Sequence, residues 1–437
     1  MAKGEPKGHP VSVPDGSATS HLYRPKLATT LAEGYGLDAL RRDAMAGLTV
    51  AVLAMPLSMA IAVASGVSPA QGLVTAIVGG FLVSALGGSR VQIGGPAGAF
   101  ILLVSATVAR HGPEGLAVTV LLSGVMLALV GVLRLGRLIR HVPHTVTVGF
   151  TAGIAVTIAA SQLRDLAGLR LEGAEPGPVL AKLAALAGAA PTWNPSALAV
   201  GVGAAVVVLV LKRWRPAWPG MLVAVIAATG AAALLHLPVD TIGSRFGAIP
   251  SGLPAPRLPA FDARLWLELT PVALSFTLLG GLESLLSAKV ADSMTGRVHR
   301  SNMELVAQGL ANVASAIFGG IAVTGTIART ATNVRAGARS PVAGILHSVF
   351  LLGFMLLAAP LASGIPLAAL AGLLLVVAWN MAEREEFAAL LRQWRPAAVV
   401  LVTFGLTLLH DLTAGILAGC GLAFAFWLAS QWRRRRN

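Results

Sequence analysis

Two stretches, Ser89-Arg-Val-Gln-Ile-Gly-Gly-Pro96 and Phe318-Gly-Gly-Ile-Ala-Val-Thr-Gly325, decide how this chain folds. Each is glycine-rich and partly β-branched, and each opens an apolar element too short to cross a bilayer, 97–110 and 325–336. Both lie among long apolar runs that read as membrane spans, where about 20 uncharged apolar residues suffice. Non-helical backbone survives at membrane depth only where protein covers it or where it lines a cavity. The two stretches are about 230 residues apart and follow the second and ninth apolar elements. Interrupted segments at matching places in two halves point to a transporter binding site.

Working outward, about fourteen elements can be placed. They lie near 44–66, 68–88, 97–110, 114–134, 142–163, 196–212 and 218–235, then near 269–291, 303–319, 325–336, 341–361, 366–381, 396–410 and 412–430. The repeats are thus about 44–235 and 269–430, within a transport domain at 39–430. Basic residues mark alternate loops: Arg90, then Arg134, Arg137 and Arg140, then Lys212, Arg213 and Arg215. Arg297 and Arg300, Arg335 and Arg339, and Arg384, Arg392 and Arg395 continue the series, which ends in the tail 431–437 with Arg433–Arg436. Loops after spans 9, 11 and 13 carry no Lys or Arg, and those after spans 5 and 7 offset theirs with Asp165, Glu172, Glu175, Asp240 and Asp262. The positive-inside rule then puts both termini in the cytoplasm. Residues 1–38 read as a flexible cytoplasmic arm, with a short amphipathic helix at 31–42 on the membrane surface. No soluble domain is expected after the basic tail.

Seven spans per half is an odd number, so the second half enters the membrane upside down. The fold class is an all-α membrane protein with a 7+7 inverted repeat. Half-helices 3 and 10 face each other near the midplane. Two positive dipole ends aimed at one spot make an anion site.

Composition excludes other classes. Charged residues are only 12% of the chain and 55% are hydrophobic, against about one-quarter charged in soluble domains. The net charge of +14 is spread over interspan loops, so it serves orientation and not nucleic acid. The lone Cys420 rules out a disulfide framework. No metal-ligand cluster, P-loop, Gly-X-Ser-X-Gly or His-Glu-X-X-His pattern occurs, so neither an enzyme nor a metal site is expected.

Several residues stand out. Arg329 lies one turn into the second half-helix, where a charge is costly and reads as functional; the plainer alternative pairs it only with a neighbouring carboxylate or with helix carbonyls. Glu283 is read as the only carboxylate deep in the second half's spans, able to carry a proton or hold a sodium ion, with Ser287 four residues on along one helix face. Pro56 kinks span 1 and frees a carbonyl beside Ser58. Thr324 and Thr326 offer hydroxyls at the half-helix start, as caps or as ligands. Lys289 and Asp292 read as a local ion pair, and His347 as a hydrogen-bonded buried histidine.

Several motifs resemble the SulP family of sulfate-permease-type anion transporters. They are Ala46-Gly-Leu-Thr-Val50 with Pro56-Leu-Ser-Met-Ala60 and Ala64-Ser-Gly-Val-Ser68; Val91-Gln-Ile-Gly-Gly-Pro-Ala-Gly-Ala99; Val148-Gly-Phe-Thr-Ala-Gly-Ile-Ala155 with Ser161-Gln-Leu163; Glu283-Ser-Leu-Leu-Ser287 with Ala291-Asp-Ser-Met-Thr-Gly296; and Asn302 to Arg329. The resemblance covers about residues 38–430. It implies a core of spans 1–4 and 8–11 moving against a gate of spans 5–7 and 12–14. Substrate would sit between half-helices 3 and 10, which points to Pro56, Leu57 and Ser58, to Gly95, Ala97, Gly98 and Ala99, to Glu283, and to Thr324, Gly325, Thr326, Ile327, Ala328 and Arg329. Two departures stand out: many members carry Gln where this chain has Leu57, and many carry a C-terminal STAS domain, whereas this sequence stops at Asn437. The expected function is secondary transport of a small anion (sulfate, bicarbonate, chloride or a dicarboxylate), coupled to a proton or sodium ion, with no resident cofactor. A nucleobase symporter and an anion channel are the alternatives. The expected setting is the lipid bilayer of a bacterial plasma membrane, with a homodimer open to it.

Overall fold

A computed structural model describes residues 23–136, 143–172, 176, 179–216, 218–260, 262–410 and 412–434. Every expected span has a helical counterpart. Spans 1 and 2 are Leu37–Ala64 and Pro69–Leu86. Span 3 starts as a tight turn at Gly98–Phe100 and runs into helix Ile101–Val132, which also holds span 4. The two are separated by Gly112, whose left-handed backbone (φ 68°) precedes Pro113. Spans 5, 6 and 7 are His144–Ala167, Pro195–Trp214 and Gly220–Leu234. Spans 8 to 11 are Ala263–Thr295, Ser301–Ile317, Ile327–Arg335 and Val342–Ala362; spans 12 to 14 are Leu367–Met381, Trp394–Leu409 and Leu412–Arg434. Among the described residues, nine helices are long and apolar enough to cross a membrane by length and composition alone. Local chemistry sets the ends: Asp262 accepts from Arg264 N at 2.9 Å to start span 8, Asn194 accepts from Ser196 N at 2.9 Å to start span 6, and left-handed Gly168 and Gly296 end spans 5 and 8.

Span 10 has 9 residues, so it is about 14 Å long, roughly half the hydrocarbon thickness. The missing half is extended chain. There Gly94–Gly95 (β1) pairs antiparallel with Thr324–Gly325 (β2), Gly94 opposite Gly325 and Gly95 opposite Thr324. The half-helices therefore begin side by side on strands running in opposite directions, as inverted repeats require.

Hydrogen bonds between loops follow the alternation. On one face the loop after span 2 meets the loop after span 8 (Arg300 N to Gly88 O, 3.0 Å), which meets the loop after span 10 (Arg297 Nη1 to Arg339 O, 3.1 Å). On the opposite face the loop after span 7 meets the end of span 9 (Arg257 N to Ile317 O, 2.8 Å) and the loop after span 11 (Ile242 N to Ile365 O, 2.9 Å). The helices pack as two groups: spans 1, 2, 4 and 8–11 on one another, and spans 5–7 and 12–14 on one another. Spans 1 and 3 meet spans 5, 7 and 12 across the seam.

The segment expected as a free arm is described from residue 23. Helix Lys26–Ala32 lies across one end of the core group. Tyr23 donates to Val132 O (2.8 Å), Lys26 N to Gly87 O (2.9 Å), Arg300 Nη1 to Arg24 O (2.6 Å), and Glu33 pairs with Arg90. The surface helix expected over 31–42 is instead divided: from Leu37 onward the chain is already span 1. Asp43, fully buried there, accepts from Arg339 N (2.9 Å), Tyr35 Oη (2.8 Å) and Ser340, tying the starts of spans 1 and 11. The tail 431–437 is described only to Arg434, and Arg137, Arg140 and Glu175 lie outside the described residues.

Spans 4 and 9 touch through glycine. A Cβ on Gly309 would lie 2.5 Å from Ala128 N and from Gly124 O. Gly309→Val is expected to cost about 1–3 kcal/mol by overpacking and to lower the melting temperature of purified protein. Gly203→Ala, where a Cβ meets nothing within 4 Å, should leave it unchanged.

Candidate functional site

The strand pair satisfies only part of its own backbone; neighbouring side chains supply the rest. Thr326 N and Oγ1 both donate to Ile93 O (2.9 and 3.1 Å), and Ile93 N donates to Thr330 Oγ1 (3.0 Å). Asn333 Nδ2 donates to Val91 O (2.9 Å). From span 8, Ser284 Oγ accepts from Gly325 N (3.2 Å) and meets Thr324 Oγ1 (2.9 Å), while Gln92 Nε2 donates to Ser284 O (3.3 Å). These groups sit in a low-dielectric interior, where an unpaired backbone polar group is costly.

Arg329 rises from the first turn of span 10 into this junction and is 4% exposed. Its Nη2 donates to Ser58 Oγ (3.1 Å) on span 1 and to Pro96 O (3.4 Å) at the start of span 3. Among the described residues its Nη1 has no hydrogen-bond partner, and no carboxylate lies within ion-pair distance. Of the plainer alternative, the carboxylate pairing is absent among the described residues, while a contact to a backbone carbonyl, Pro96 O, is present. Gly95 leaves room for this side chain: a Cβ there would lie 2.5 Å from Arg329 Nη1 and displace the guanidinium. The guanidinium is thus buried with Nη1 unpartnered among the described residues, beside the starts of two half-helices, each N-terminus worth about half a positive charge.

The other sequence-predicted residues fall around it. Pro56, Leu57 and Ser58 are buried in span 1, Ser58 as the Arg329 partner. Ala97 and Ala99 are buried, and Gly98 faces the gate: a Cβ there would lie 3.1 Å from Ile158 Cδ1 of span 5. Thr324, Gly325 and Thr326 are buried in the strand junction, Ile327 is half-buried and Ala328 exposed. Glu283 is buried at 7% exposure, one residue from Ser284 and so level with β2. Ser287 is fully buried and donates to Thr330 Oγ1 (3.2 Å).

Three expectations change. Glu283 is not the only deep carboxylate of the second half: Glu304, at the start of span 9, is fully buried. Asp292 meets His299 Nδ1 (2.6 Å) in place of Lys289. His347 is fully buried, yet neither ring nitrogen has a hydrogen-bond partner among the described residues. Sequence reasoning missed Asp43, Glu304, Gln308 and Asn312. The signal for the last three was present, because polar residues at 304, 308 and 312 recur every four positions along one helix face.

The sequence pattern described as the sulfate permease family matches residues 40–404. This chain belongs to the sulfate permease family. Membership places it among membrane transporters, not enzymes. YvdB of Bacillus subtilis, described as a candidate sulfate transporter, is 44% identical over 400 residues, covering 91% of this chain and 75% of that one. The bicarbonate transporter BicA of a Picosynechococcus species is 31% identical over 402 residues, 88% of this chain and 69% of that one. The solved transmembrane domain of a cyanobacterial BicA superposes with a TM-score of 0.79 at 30% identity, covering 87% of this chain and 98% of that one. The murine Solute Carrier 26 member A9 anion transporter, solved in an inward-facing state, gives 0.86 at 18% identity, over 97% of this chain and 74% of that one, a likeness of fold alone. In the sulfate permease fold the inverted repeat expected from the odd span count is present, with half-helices 3 and 10 meeting at the strand pair.

Ser284→Ala removes the side-chain acceptor of the buried Gly325 N–H and leaves the Thr324 hydroxyl with Gly280 O alone. It should lower stability by about 1–3 kcal/mol, read as a depressed melting temperature in detergent.

Proposed function

We propose that this protein carries a small inorganic or carboxylate anion across the membrane by alternating access, the core group moving against the gate with the anion at Arg329 Nη1. The observation that carries this reading is the buried Arg329 guanidinium, unpartnered at Nη1 among the described residues and set beside two half-helix starts. Arg329 plus two half-charges amounts to roughly two positive charges. With Glu283 neutral the pocket matches a divalent anion such as sulfate; with Glu283 ionised it matches a monovalent one such as bicarbonate. Sulfate and bicarbonate are also what the relatives' names report. A proton or sodium ion at Glu283 couples the cycle, which is useful because moving one negative charge inward against 100 mV costs about 2.3 kcal/mol. The basic loops support a cytoplasmic location for the face with Arg90, Arg300 and Arg339 and for both termini, and the bacterial relatives support a bacterial plasma membrane. A neutral nucleobase gives no use to an unbalanced Arg329, so the anion reading is preferred. An uncoupled channel would share the charge pattern without accumulation.

Labelled sulfate and bicarbonate uptake into proteoliposomes, with proton and sodium gradients varied, tests this. Arg329→Ala should reduce uptake at least thirtyfold, since deleting one partner of a buried charged contact costs about 2–5 kcal/mol; uptake near wild type would refute the site. Gly95→Ala should also impair uptake by displacing the guanidinium. Glu283→Gln should abolish gradient-driven accumulation, and unchanged dependence on both gradients would remove Glu283 from coupling.

A further inference from the structure

Among the described residues span 9 makes no hydrogen bond to Arg329, yet it grips both interrupted stretches. At its start, Glu304 Oε2 accepts from Gly88 N (2.8 Å) and Ser89 N (3.0 Å), the chain that feeds β1. One turn on, Gln308 Nε2 donates to Glu304 Oε1 (3.2 Å). One turn further, Asn312 meets the peptide of Val323 in both directions: Val323 N donates to Oδ1 and Nδ2 donates to Val323 O, each at 2.9 Å. Nδ2 also donates to Gln308 O (2.9 Å). Ser315 Oγ then donates to Ile321 O, while Ile321 N donates to Thr75 Oγ1, both at 2.7 Å. Thr75 opens a wide π-turn of span 2 at Thr75–Gly79, and a Cβ on Gly79 would collide with Val323.

Asn312 thus behaves as a one-residue third strand beside β2. Its carboxamide fixes where residue 323 sits along the membrane normal, and the strand register carries that position to Gly94 and Gly95. A slip of one residue in such a pairing turns every side chain to the other face. Glu304 fixes the other strand from the same helix face. The two half-helix starts are therefore measured from one rigid helix.

We propose that Asn312, with Glu304 behind it, is a positioning residue for the anion pocket: span 9 sets the separation of the two half-helix starts and touches no substrate. This rests on the anion reading above. It predicts that disturbing Asn312 loosens the pocket before it unfolds the protein.

The test is Asn312→Asp, which keeps size and the Oδ1 acceptor but sets a carboxylate oxygen against two carbonyls. With whichever of labelled sulfate and bicarbonate the wild type carries, KM should rise tenfold or more with a smaller change in maximal rate. The ratio of variant to wild-type uptake should recover as pH falls, because protonating the introduced carboxylate restores a donor. Hydrogen exchange read by mass spectrometry should quicken at least tenfold in peptides covering 318–330, whatever the substrate. Thr277→Val, which removes a hydroxyl contact to Ser123 between spans 8 and 4, is the control for general destabilisation and should change neither readout. Unchanged exchange, a KM within twofold of wild type, or equal effects in Thr277→Val would overturn the proposal. If the wild type carries neither anion, the transport reading fails while the exchange arm still judges Asn312. If Asn312→Asp does not reach the membrane, Glu304→Gln is read the same way, with faster exchange expected over 86–98 and unchanged exchange counting against.

Discussion

Backbone amides and carbonyls have no water to bond in the middle of a bilayer, and this protein breaks two helices there all the same. The breaks are tolerated because each repairs the other. Gly94 and Gly95 pair with Thr324 and Gly325, and side chains of spans 8, 9 and 10 take the groups left over. Neither repeat could keep its extended stretch at that depth alone. The obligation to satisfy peptide groups thus brings two helix N-termini to one place, and the electrostatics of the pocket follow from it.

That arrangement explains why Arg329 can be buried without a carboxylate. Its charge is held by hydroxyl and carbonyl oxygens of Ser58 and Pro96, which orient it without neutralising it. Nη1 has no acceptor among the described residues, so the desolvation of this charge is only partly offset. In the anion reading proposed above, a bound anion would relieve the remainder.

Much of this was legible in the sequence. The glycine-rich stretches before 97 and 325 marked the discontinuities, the alternation of basic loops fixed which ends lie together, and an odd count per half required inversion. Arg329 announced itself as a charge in an apolar run. What stayed hidden was pairing. Glu304 sits near a span end, where a carboxylate reads as solvated, and only the fold brings Gly88 and Ser89 onto it. Asp292 has a basic neighbour in sequence, Lys289, yet the turn after span 8 delivers His299 instead. Asn312 and Gln308 looked like ordinary polar residues of a helix. The periodicity was visible; the backbone it serves, eleven residues ahead at Val323, was not.

The segment from Tyr23 to Glu33 binds spans 2, 4 and 9 and the start of the loop after span 2, all members of one helix group. It is stitched to the helix group that carries Arg329 and not to spans 5–7 and 12–14. A tag or a partner attached to this segment is therefore anchored to the Arg329 group, and any relative motion of the two groups would carry it along.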